Sequence, residues 1–105
     1  MKIHFYSKEY LFESHATLNV PSCQCARFNS YGNKLYLGTL FGILIVDSNL
    51  YEVTNIISSN AYMGKIPKRF AKYSMLTMAL EVASGNNSFL YEISETGEVS
   101  LLANL

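Results

Sequence analysis

Charge is what this sequence has least of. Charged residues fill 15% of its 105 positions, eight basic against eight acidic, for a formal net charge of zero. A chain so balanced has no overall electrostatic pull toward nucleic acid or an anionic membrane. No run reaches the roughly 18 uninterrupted apolar residues that a membrane-spanning helix requires. The opening MKIHFYSKEYLF lacks the apolar core and small-residue cleavage site of a secretory signal. A cytoplasmic protein with no membrane partner is therefore expected. Cysteine occurs only as Cys23 and Cys25. One intervening residue is too few for an unstrained disulfide and does not match the spacing of redox or zinc knuckles, so free thiols are expected. On an extended strand both thiols would point to one face. His4 and His15 could complete four soft ligands with that pair, but no spacing rule selects the set, and no metal or other cofactor is expected.

The patterns that assemble active sites are missing too. There is no glycine-rich dinucleotide fingerprint, phosphate-binding loop, paired-histidine zinc helix or nucleophile elbow. Asp47 is the single aspartate. A carboxylate at a strand end can serve catalysis, but its place before Ser48 and Asn49 points to turn chemistry. The chain is read as non-enzymatic.

What the sequence does have is apolar residues, 50% of the total, enough for one core in one domain over 1–105. The organising stretch is Asn33 to Ile57, where the runs Lys34–Thr39, Ile43–Asp47 and Leu50–Ile57 alternate with breaks at Thr39–Gly42 and Ser48–Asn49. Strand-length runs of Leu, Ile, Val and Tyr between Gly- and Asn-centred turns predict an antiparallel meander. Gly38, inside one run, reads either as a close backbone approach or as a tolerated weakening. Upstream, Lys2–Tyr6 and Tyr10–Phe12 fit a tight hairpin, Ser14–Val20 is ambiguous, and Cys23 to Phe28 makes one more strand before the turn-forming Asn29–Asn33. Downstream, Phe89–Ile93 and Glu98–Leu102 flank Ser94–Gly97 as a hairpin.

Between these lies a helix prediction over 68–84. Phe70, Tyr73, Leu76, Leu80 and Ala83 recur at spacings of three and four, Pro67 suits a first helical turn, and Gly85 suits a C-terminal cap. The rival is an extended Met75–Val82. The expected fold is α+β and mostly antiparallel β, a meander sheet of about six to eight short strands with one helix.

The segments 43–56 and 89–102 match without a gap at an offset of 46, pairing Leu44 with Leu90, Ser48 with Ser94, Glu52 with Glu98 and Val53 with Val99. That spacing is near the period of propeller repeats. The run Leu35-Tyr36-Leu37-Gly38-Thr39-Leu40-Phe41-Gly42-Ile43-Leu44-Ile45-Val46-Asp47 resembles the inner strands of a β-propeller blade of the WD40 type, in which a strand ends in Gly-Thr and the next in Asp. The Gly-His and Trp-Asp dipeptides of such repeats are missing. The resemblance implies blade-like sheets, either incomplete or completed by further copies of the chain.

Eight tyrosines and six phenylalanines point to function. Tyrosine buries a large amphipathic area at low entropic cost and is enriched at interfaces. Protein binding or self-association through an aromatic-rich sheet surface is the leading expectation, with Tyr31, Tyr36, Tyr51, Tyr62 and Tyr91 as candidates. The alternative is nucleic-acid or anion binding through Arg27, Lys34, Lys65, Lys68, Arg69 and Lys72, with the Lys65–Lys72 segment as its core and aromatic side chains as stacking platforms. Small size, neutrality and abundant Asn, Ser and Tyr also resemble accessory proteins of viruses or phages that bind a host factor.

Overall fold

In a computed structural model, the backbone of residues 2–6 and 14–105 and the side chains of residues 20–105 are described. Ten strands run through them: β1 Lys2–Tyr6, β2 Ser14–Asn19, β3 Cys23–Phe28, β4 Lys34–Thr39, β5 Gly42–Asp47, β6 Glu52–Ser58, β7 Ile66–Lys72, β8 Met78–Ser84, β9 Asn87–Ile93 and β10 Val99–Asn104. The strands outnumber the six to eight expected because the 68–84 region adds two. β1 pairs with β2, so the N-terminal hairpin uses the segment that was ambiguous, and Tyr10–Phe12 lies outside the described residues. The other eight strands form two four-stranded antiparallel meanders, β3-β4-β5-β6 and β7-β8-β9-β10.

Local side chains tie the turns. Asn29 Oδ1 accepts from the Asn33 and Lys34 amides at 3.1 and 3.2 Å, and Asp47 Oδ1 accepts from Asn49 and Leu50 at 2.8 and 2.9 Å. The one aspartate thus works as a turn residue. At the β4–β5 turn the buried Thr39 hydroxyl donates to the Gly42 carbonyl at 2.7 Å and accepts from the Phe41 and Gly42 amides.

No helix forms over 68–84. The segment is the hairpin β7–β8, with Phe70 opposite Leu80 and Lys72 opposite Met78. Its turn is closed by the Ser74 hydroxyl, which accepts from the Leu76 and Thr77 amides at 3.2 and 3.1 Å. A helix would bury the stripe through Tyr73 and Leu76 and leave Met78 and Val82 on its wet side. The hairpin buries Phe70, Met78, Leu80 and Val82 together and leaves Tyr73 and Leu76 exposed at the turn. Met78, Leu80 and Val82, two residues apart along β8, reach the core together, and this outweighs the coincidental three-and-four spacing, as the extended alternative required.

The meanders pack as a wedge. β7 lies against β3 and β4, and the seam is filled by Tyr36, Ile43, Ile45, Ile57, Phe70, Leu80, Val82, Tyr91 and Ile93. Tyr36 and Phe70 meet across it with ring centroids 5.9 Å apart. Gly38 stands directly against Pro67 and Phe70 of the second meander. The 3-10 turn Ser59–Tyr62 leads from β6 to β7 and packs on β5 and β10, seating Tyr62 in the seam edge-on to Tyr91. Val20, Leu35, Leu37 and Val46 form a second cluster on the opposite face of the first meander. The strands do not close into a propeller.

The matched segments 43–56 and 89–102 each span a third strand, a turn and most of a fourth strand. β5 and β9 begin at Gly42 and Asn87, 45 residues apart. Matching at 46 nevertheless keeps the strand faces in step, since Ile43 and Ile45 fall on Phe89 and Tyr91, which turn to the same seam. The outward face of the second meander mixes small, charged and apolar side chains. Ala71, Ala79 and Glu92 stand in one row, Arg69, Glu81 and Leu90 in the next, with Arg69 Nε 3.2 Å from Glu81 Oε1.

A register shift between Cys23 and Cys25 sends their side chains to opposite faces, Cys23 toward the second cluster and Cys25 into the seam. The expectation of one shared face is corrected by that bulge, because an extra residue breaks the alternation. Both thiols are free. Burial, reinforced by nearby Cys23, pushes the Cys25 thiol up to about 11 from 9.0. Burial, with Cys25 beside it, pushes the Tyr62 phenol up to about 12 from 10.0.

Both protons are held longer folded than unfolded. Their contribution to stability is intact below about pH 9 and is lost as pH rises, over about 9–11 for the thiol and 10–12 for the phenol. Denaturant melts should show stability falling across that window, with Cys25→Ser removing its lower part. The Tyr62 hydroxyl is buried with no hydrogen-bond partner among the described residues. Tyr62→Phe should therefore remove the upper part and raise neutral-pH stability by about 1 kcal/mol. A flat alkaline profile for the parent protein would contradict this.

Candidate functional site

Side-chain alternation carries two lysines to one end of the seam. Lys34 opens β4 two residues before Tyr36, and Lys72 ends β7 two residues after Phe70. Because Tyr36 and Phe70 meet across the seam, the same alternation places both lysines on the seam faces, one layer farther out. They line a cleft of about 80 Å³ with Tyr36, Met78, the Asn29–Asn33 turn, the Ser74–Thr77 turn and Glu95. Among the described residues neither lysine is in an ion pair. Burial, and then the Glu95 carboxylate, pushes the Tyr36 phenol up. Tyr31, Met75 and Leu76 line the cleft yet are 61%, 60% and 51% exposed, forming an apolar rim.

The five candidate tyrosines do not share a surface. Tyr36, Tyr62 and Tyr91 are buried in the seam, Tyr51 packs half-buried on the second cluster, and Tyr31 stands at the cleft. The basic segment is divided as well. Lys65 Nζ donates to the Tyr91 hydroxyl at 3.0 Å and sits 3.8 Å from the Phe89 ring centroid. Arg69 faces outward on Glu81, Lys68 is exposed beside the register shift in β7, and only Lys72 reaches the cleft.

Sequence reasoning missed Met75 and Leu76, assigned to a helix, and named Lys34 within a scattered basic set without its neighbour across the seam, Lys72, 38 positions away. The turn signal Ser74-Met75-Leu76-Thr77, with hydroxyl residues at both ends, could have found the first two.

His4 and His15 lie outside the residues whose side chains are described. Among the described residues no group of three metal-ligating side chains comes together. No helix there is long and apolar enough to cross a membrane. No protein-family model matches the chain, and neither the curated proteins nor the solved structures yield a match.

Proposed function

We propose that the chain is a non-enzymatic binding module of the cytoplasm that docks another protein through the cleft end of its wedge. The observation that carries this reading is the exposed apolar rim of Tyr31, Met75 and Leu76 around a polar cleft. These residues sit on turns held by a rigid sheet scaffold, the usual placement of recognition residues, and clustered exposed apolar side chains mark contact surfaces. Affinity capture with the parent chain, a Met75→Ser/Leu76→Ser variant and a Phe41→Ser variant tests it. Phe41 is 74% exposed at the opposite end of β4. Partners should be lost with the rim variant and kept with Phe41→Ser. The opposite pattern, or equal capture by all three, would sink the reading.

Self-association into a ring of propeller-like blades is a second reading, favoured by the packing of β7 on β3 and β4. The Arg69–Glu81 ion pair on the outward face of the second meander weighs against a further blade there. Light scattering separates the two: a stable trimer or larger supports the ring, and a monomer removes it.

A further inference from the structure

We infer that the cleft takes an acidic side chain of an extended peptide, with an apolar neighbour of that side chain seated on Met75 and Leu76. This rests on the docking reading above and names its partner's chemistry. Lys34 and Lys72 approach from different meanders, so the cleft holds two cations and one carboxylate, Glu95. The two lysines outnumber that carboxylate, so the cleft keeps a net positive charge, and an incoming carboxylate would gain charge-assisted hydrogen bonds from them. The cleft is small, about 80 Å³, which suits one side chain.

A peptide is favoured over nucleic acid on three grounds. The rim is mainly aliphatic, Met75 and Leu76 beside the single ring of Tyr31. Arg69 is turned to the far face of its meander on Glu81, and Lys65 is committed to Tyr91 and Phe89. A phosphate backbone needs a stripe of cations along its length, and only two lysines line this cleft.

The probes are a short peptide with glutamates on both sides of a central Leu-Phe pair, the same peptide with lysine for every glutamate, and oligothymidylate. Titrations are read by the methyl resonance of Met75 and by fluorescence anisotropy. The glutamate peptide should shift that resonance and bind, the lysine peptide should not, and molar salt should weaken binding. Lys34→Gln and Lys72→Gln should each weaken it roughly tenfold. Lys72 is exposed, so its variant keeps the test sound if Lys34→Gln perturbs the fold.

Equal binding of both peptides, lost only in Met75→Ser/Leu76→Ser, would overturn the acidic preference and leave the docking reading standing. Tighter binding of oligothymidylate through the same lysines would overturn the peptide in favour of nucleic acid. Binding of no probe would overturn the inference, while the capture experiment decides the docking reading by itself.

Discussion

Leu80→Ala should destabilise the protein by about 2–5 kcal/mol, whereas Leu101→Ala should cost under about 1 kcal/mol. Register places the two leucines on one face of the second meander, since Leu80 is opposite Tyr91 and Tyr91 is opposite Leu101. They differ in depth: Leu80 is 0% exposed and Leu101 is 53% exposed. Truncating Leu80 removes its transfer free energy and leaves a cavity between Phe70, Tyr91 and the first meander, which a sheet pinned on both sides cannot collapse to fill. At Leu101 water already reaches the side chain. For a domain whose total stability is of order 5–15 kcal/mol, the first change should lower Tm by roughly 10 °C or more. Urea melts of both variants decide the matter. Equal losses would mean that the sheets pack evenly along their width and do not form a wedge.

Gly38→Val is the second large effect, expected at about 1–3 kcal/mol or above from overpacking. The backbone angle is not the reason, because Gly38 is not among the glycines with positive φ. Space is. A Cβ at this position would lie 2.7 Å from Cys25 Sγ, 2.9 Å from Pro67 Cβ and 3.3 Å from Phe70 Cε2. The Pro67 ring is held by its own strand and cannot swing away, so the meanders must separate and give up contact throughout the seam. Gly38→Ala should cost less, and less again in a Cys25→Ala background, where one of the three obstructing atoms is gone. That coupling is the diagnostic reading of a double-mutant cycle. Strict additivity would mean that Gly38 matters for some reason other than the approach of the two sheets.

Of the two meanings that Gly38 carried in the sequence, close approach and tolerated weakening, its surroundings select the first. The strands around it were easier to read. β4, β5 and β6 follow from short runs of Leu, Ile, Val and Tyr, and their turns from Asn29, Asp47 and Thr39, whose side chains bond the backbone within a few residues. The β9–β10 hairpin is legible on the same grounds: the Ser94 hydroxyl accepts from the Glu98 amide at 3.0 Å. Such signals are local, so they survive in a linear text.

The 68–84 region was misread because its apolar spacing satisfies a helix and a hairpin alike, and the choice rests on which face meets Tyr36 and Ile45 from another part of the chain. The aromatic candidates were dispersed for a related reason. Composition counts tyrosines but cannot say that Tyr36, Tyr62 and Tyr91 fill a seam while Tyr31 stands beside a cleft.

The sequence by itself determined a largely antiparallel β protein with little charge, the positions of most turns, and two thiols too close together for a disulfide, while adding a helix that does not form. Tertiary structure decided the rest: that eight of the strands divide into two meanders, that a bulge turns Cys23 and Cys25 to opposite faces, and that Lys34 and Lys72 share a cleft. Turn chemistry acts over a few residues and is written where it acts. The packing of one sheet on another depends on which strand faces become neighbours, and that is settled only when distant segments bury their apolar sides together.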